Sequence, residues 1–165
     1  MQQQELNLKY IIAPHDTSPA RIRFISEHIG RTIVLYSELN ETNAGLADVL
    51  VIDSVGILSK LYRFATIAYI GGGFGNGIHN IQEPVTFGVP VIFGPNYHKF
   101  SEARDLVSLG GAFSITTSEE LLSKVGEITS NPQEHLRLSA ICRNYVEKSR
   151  GATEKIMEFL ELVSW

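Results

Sequence analysis

The chain has one cysteine, Cys142, which excludes an intramolecular disulfide and any cysteine-cluster metal site. It has no basic excess: 14 lysines and arginines stand against 18 aspartates and glutamates, a formal net charge of −4 with histidines neutral. A nucleic-acid binder that works through bulk charge is thereby disfavoured, and no nucleic-acid partner is expected. No apolar run approaches the roughly 18 residues needed to cross a bilayer. The opening Met1-Gln2-Gln3-Gln4 has neither a basic nor an apolar signal region, so no secretory signal is expected. Internal repeats, low-complexity tracts and Pro/Ser-rich linkers are also missing. What is present is a 165-residue chain, 44% apolar and 19% charged, large enough to bury a core without staples and too apolar for disorder. The composition predicts a soluble single domain spanning residues 1–165.

The pattern along the chain is alternation. Tyr10–Ala13, Thr32–Ser37, Asp48–Ile52, Ile67–Ile70, Val89–Phe93 and Ala112–Ile115 read as strands rich in β-branched and aromatic residues. Helical spacing separates them. Ile22, Ile25 and Ile29 follow a Ser18 cap and Pro19, and Gly30 stops the run. Further helices are predicted over Gly56–Phe64, Ser101–Leu109, Glu119–Ile128 and from Pro132 onward, the last broken at Gly151. Asn40–Gly45 reads as an exposed loop. Strands that are nearly all apolar imply burial on both faces, and strand–helix order with short loops implies parallel pairing. The expectation is an α/β fold: a Rossmann-like, doubly wound parallel sheet of about six strands. Ligands of such sheets bind beyond the carboxyl ends of the strands.

The densest signal lies at one such end. After Ile70 comes Gly71-Gly72-Gly73-Phe74-Gly75-Asn76-Gly77-Ile78-His79-Asn80, with five glycines in seven positions. No Gly-Lys-Ser/Thr follows, so it is not a P-loop, and no register fits the dinucleotide G-x-G-x-x-G pattern. What remains is a glycine loop presenting backbone N–H groups at the start of a helix near Asn80, a place for a phosphate or carboxylate. Asn80-x-x-Glu83 is equally a capping box, Asn80 as cap and Glu83 reaching back to its N–H. Capping alone does not require the glycines, so Gly73, Gly75, Gly77, His79, Asn80 and Glu83 together point to a ligand site. Three more loops leave predicted carboxyl ends: Pro14-His15-Asp16, Asp53-Ser54-Val55-Gly56 and Gly94–Phe100 with Lys99. Each also reads as a helix cap or a solvated turn. Cys142, among Leu138, Ile141 and Tyr145, reads as a structural thiol.

Residues 71–112, GGGFGNGIHNIQEPVTFGVPVIFGPNYHKFSEARDLVSLGGA, closely resemble the carboxyl-terminal domain of bacterial 3-deoxy-D-manno-octulosonic acid (Kdo) transferases. The combination G-x-HN-x-x-EP, G-x-P-V-x-x-GP and K-F-x-E-A carries the likeness, which extends upstream through Leu58–Tyr62, Asp53–Gly56 and the Pro14-His15 turn. The resemblance implies a GT-B architecture, of which this chain is the donor-binding half. A first domain, absent here, recognises a lipid A precursor and supplies the catalytic base. The donor is the nucleotide sugar CMP-Kdo, with no metal and no further cofactor. The resemblance places Ser54, Val55 and Gly56 at the cytidine, His15 on the nucleotide sugar, the loop glycines with His79 and Asn80 at phosphate or Kdo carboxylate, and Glu83 at a ribose hydroxyl.

The family's His-Pro-Glu-Arg turn reads His15-Asp16-Thr17-Ser18 here, which leaves Arg21 as the candidate phosphate contact; Lys99 is a further candidate on the nucleotide sugar. The glutamate often found after the cytidine-side turn is Ile57. Retaining enzymes carry a second glutamate eight positions after the first; that position is Val91, in keeping with inverting transfer. The resemblance also implies that the intact protein works at the cytoplasmic face of the inner membrane and that this piece is soluble and transfers nothing alone. Two other readings share the pattern: a GT-B UDP-sugar transferase or epimerase, and a non-catalytic flavodoxin-like binding module. A phosphorelay receiver is disfavoured, since Pro14-His15-Asp16 replaces its acidic pair.

Overall fold

The computed structural model describes residues 8–151 and 156–160. The chain divides into two compact units, Met1–Leu61 and Tyr62–Trp165.

The first unit holds β1 (Tyr10–Ile12), α1 (Pro19–His28), β2 (Ile33–Leu35), β3 (Val49–Val51) and α2 (Leu58–Leu61). β3 is central, and β1 and β2 pair with it in parallel. The register Tyr10–Val49–Ile33 and Ile12–Val51–Leu35 puts these side chains on one face. α1 lays Ile22 and Ile25 onto Val49 and Val51, with Ile12, Ile29, Ile33 and Leu35 around them. Ten residues make a marginal helix in water, so this burial holds α1 in place more than propensity does. Ser18 caps it as predicted, its hydroxyl accepting from the Arg21 amide at 3.4 Å, and Pro19 occupies the first turn.

The second unit opens with a 3₁₀ turn, Tyr62–Phe64. It continues with β4 (Ala68–Ile70), α3 (Gln82–Thr86), β5 (Val91–Phe93), α4 (Ser101–Leu109), β6 (Ala112–Ser114), α5 (Ser118–Ser130) and α6 (Pro132–Ser149). β5 is central and wholly buried, paired in parallel with β4 and β6. Ala68, Ile70, Val91, Phe93 and Ala112 form one core with Val85 of α3, Ala103 and Leu106 of α4, and Cys142 of α6. The glycine at 111 lets α6 approach: a Cβ there would stand 2.9 Å from Ile141 and 3.3 Å from the Cys142 sulfur. Cys142 is fully buried, and burial pushes its thiol up to about 11.

All six predicted strands exist, each trimmed to three residues. The arrangement differs in one respect: they form two three-stranded parallel sheets, not one sheet of about six. Apolar runs specify burial and parity, but they carry no instruction about which strand edges join. The predicted helix over Gly56–Phe64 is split into α2 and the 3₁₀ turn. The predicted break near Gly151 is present, since α6 ends at Ser149. No helix among the described residues is long and apolar enough to cross a membrane.

Candidate functional site

β4 runs straight into the glycine loop, and the loop is built against its neighbour after β5. A Cβ on Gly73 would lie 2.6 Å from the Gly94 nitrogen and 2.8 Å from its Cα; one on Gly94 would lie 2.6 Å from the Gly73 carbonyl carbon. Two main chains therefore touch where neither can carry a side chain. Asn96 fastens the contact, its amide donating to the Gly73 carbonyl at 2.9 Å and its side-chain nitrogen to the Gly75 carbonyl at 2.8 Å. Gly72, at φ +87°, lets its carbonyl accept from the Gly75 amide at 2.8 Å and the Gly77 amide at 3.4 Å. The His79 amide donates to the Gly71 carbonyl at 3.0 Å. Three of the amides that the sequence suggests are offered to a ligand are thus used inside the loop. The amides of Gly73, Phe74 and Asn76 meet no carbonyl among the described residues.

Ile78 and Ile81, both buried, pin the end of the loop into the core, while His79, Asn80 and Glu83 stand exposed between and beyond them. The predicted capping box takes another form. α3 begins at Gln82, with Ile81 in the cap position. Asn80 Oδ1 accepts from the Gln82 amide at 2.9 Å, an Asx turn, and Asn80 Nδ2 donates to Glu83 Oε1 at 3.2 Å. Glu83 therefore reaches the Asn80 side chain and not its backbone, because the helix starts one residue later than a box with Asn80 as its cap requires. Its second oxygen accepts from none of the described residues. Behind it, half-buried Tyr62 is held above the usual phenol range by burial and by the negative charge of Glu83. Phe100 stands against Gly77, 3.0 Å from where its Cβ would be. Lys99 is exposed in the turn between β5 and α4.

In the first unit, the predicted residues also stand beyond carboxyl ends of strands. His15 and the Asp16–Ser18 turn follow β1. Asp16 accepts from the Ser18 amide at 2.8 Å and its hydroxyl at 3.0 Å, which holds the carboxyl below its ordinary value. The Arg21 guanidinium lies over the Phe24 ring, 5.2 Å from its centroid. After β3, Asp53 accepts from the Ser37 hydroxyl at 2.5 Å and the Ser37 amide at 3.0 Å, tying the ends of β2 and β3 together and lowering its pKa. Ser54, Val55 and Gly56 are exposed, Val55 by 91%. In the sequence the Asp53 turn reads equally as a helix cap or a ligand site, and the Asp53 carboxylate instead ties to Ser37; Asn96 and Tyr62 are not among the predicted site residues. Asn96 carries no motif of its own, and its two carbonyl partners lie more than twenty residues away.

No family model matches the chain. A curated 3-deoxy-D-manno-octulosonic acid transferase from Aquifex aeolicus is 34% identical over 160 residues, covering 93% of this chain and 42% of that protein. A transferase of the same description from Rickettsia felis is 30% identical over 118 residues, covering 71% of this chain and 25% of that protein. Over most of its own length the chain is similar to part of a Kdo transferase. It spans less than half the length of these relatives. Among solved structures, the C-terminal CMP-Kdo binding domain of WaaA from Acinetobacter baumannii superposes with a TM-score of 0.72 at 20% identity, covering 82% of this chain and 72% of that one. The fold is that of a GT-B glycosyltransferase domain. In this chain the glycine loop, Asn80 and Glu83 share the carboxyl end of β4. No group of three or more metal-ligating side chains is found among the described residues.

Proposed function

We propose that this chain is the donor-binding part of an inverting glycosyltransferase that moves Kdo from CMP-Kdo to a lipid A precursor. The reading rests on the site at the end of β4: a loop fixed by main-chain contacts, with three amides still to be satisfied, beside a tethered carboxylate. Departure of CMP leaves negative charge on phosphate. The amides of Gly73, Phe74 and Asn76 are donors suited to that charge, and one well-aimed donor in a dry site contributes about 3 kcal/mol. Glu83 is acceptor-only when ionised. With one oxygen held by Asn80, the other is available for a ribose hydroxyl, and direct contact with phosphate is disfavoured by charge. No metal enters this scheme.

In the same proposal, the catalytic base and the lipid-recognising surface belong to polypeptide outside these 165 residues, and the intact protein works at the cytoplasmic face of the inner membrane. Calorimetric titration with CMP tests the donor assignment. Binding of CMP in preference to UDP, weakened about tenfold or more in Glu83→Ala, supports it; tenfold corresponds to about 1.4 kcal/mol, within the range of a charged hydrogen bond. A preference for UDP points to another GT-B donor. The absence of nucleotide binding leaves a non-catalytic module.

A further inference from the structure

One side chain of the glycine loop does nothing for the fold. Phe74 is the single bulky residue between Gly71 and Gly77. It joins neither the core of the second unit nor any ring or cation contact among the described residues. Tyr97 and Phe100, the aromatic residues of the neighbouring loop, both pack against that core. Phe74 nevertheless has a prepared seat. Its Cδ2 atom lies 2.7 Å from where a Cβ on Gly94 would stand, so the ring edge fills the space that any other residue at 94 would need. Gly94 is buried, whereas the Phe74 ring resting on it is 56% exposed. An isolated apolar side chain at a surface is ordinary. This one is lodged over a glycine, within the loop whose open amides include its own.

We propose that Phe74 is a platform for the transferred sugar ring of the nucleotide-sugar donor, and so a specificity residue for the group that is moved. The face of an aromatic ring is negative. The C–H groups on one side of a pyranose are made partly positive by their oxygens, so the two stack without a hydrogen bond. The proposal rests on the donor reading, in which the amides of Gly73, Phe74 and Asn76 take the phosphate. A side chain carried by one of those residues stands beside the anion that its amide holds. Two groups are bonded to that phosphate, the ribose and the transferred sugar, and the base lies a whole ribose further away. In the same reading Glu83, past the other end of the loop, takes a ribose hydroxyl. The ring over Gly94 is left with the transferred sugar.

Calorimetric titration with CMP and with freshly prepared CMP-Kdo is the test, run on the parent chain and on Phe74→Ala, Phe74→Leu and Phe74→Tyr. The expected result is that Phe74→Ala weakens CMP-Kdo about tenfold but CMP by less than about twofold. Phe74→Leu, which keeps apolar bulk and lacks the π face, should follow Phe74→Ala, and Phe74→Tyr should bind like the parent. Urea melts show that each variant is folded and should move little, because the side chain lies outside the core. Equal losses of the two ligands overturn the proposal, since the ring would then serve the nucleotide or only shape the loop. So does unchanged CMP-Kdo affinity in Phe74→Ala, or parental affinity in Phe74→Leu. Those outcomes leave CMP binding, and with it the donor reading, in place. Binding of neither ligand by the parent removes the donor reading and the platform together.

Discussion

Placing a methyl group between the two touching loops gives the most direct test of how the site is held. In Gly73→Ala the new Cβ meets the Gly94 nitrogen at 2.6 Å, its Cα at 2.8 Å and its carbonyl oxygen at 2.9 Å. Ordinary carbon contacts lie near 3.5–4.0 Å, so the loops must separate by about 1 Å. None of the three atoms belongs to a flexible side chain that could step aside. Overpacking of this kind costs roughly 1–3 kcal/mol. Separation also stretches the Asn96-to-Gly73 hydrogen bond, worth about 0.5–1.5 kcal/mol. The expected loss is about 2–4 kcal/mol, each kcal/mol lowering Tm by about 2–4 °C in a chain of this size. Gly75→Ala is the control: its Cβ meets only the Gly72 carbonyl oxygen, at 3.5 Å, and its backbone does not require glycine. There the change should be small or mildly stabilising, by about 0.4–1 kcal/mol. Urea unfolding followed by circular dichroism reads both. Equal destabilisation by the two substitutions would refute the argument that main-chain contact, rather than glycine content, sets the loop.

Asn80→Ala removes both the Gln82 tether and the hold on Glu83, so it should weaken CMP binding more than it lowers stability, the latter by about 0.5–2 kcal/mol; calorimetry and urea melts separate the two. Asp53 has its pKa depressed in the fold by Ser37. Its contribution is therefore complete above the ordinary carboxyl value of 3.8 and is lost as pH falls through the lower folded value. Asp53→Asn should accordingly be less stable near neutrality and show a smaller loss of stability below pH 3.8 than the parent, measured by acid titration of the melting temperature. Cys142, with its thiol raised to about 11, should resist thiol reagents at pH 8 until the protein is unfolded in urea. EDTA should leave CMP affinity unchanged in the same titration.

The strands and the main helices are legible in the sequence because burial writes them directly. Val91-Ile92-Phe93 has no polar position to spare, and Ile22 and Ile25 fall one turn apart behind a Ser-Pro start. The location of the site is legible for the same reason, since glycines crowd the end of one such strand. Its construction is not. Gly73 and Gly94 read as two separate turn residues, yet each is required by the other across 21 positions, and no local rule links them. The capping box fails similarly: Asn80 and Glu83 have the right spacing, but buried Ile81 takes the cap position because its side chain belongs to the core. The joining of strands into one sheet is beyond periodicity altogether. Ala68, Tyr69 and Ile70 would read the same at an edge or in the middle.

The grip of Asn96 on the Gly73 and Gly75 carbonyls means that the loops after β4 and β5 act as a single piece of masonry, mortared by main chain. Such a cradle keeps its outline while nearly every side chain around it is exchanged, provided a few glycines stay. Changes at exposed positions such as Phe74 or Asn76 would retune what is held without rebuilding the holder.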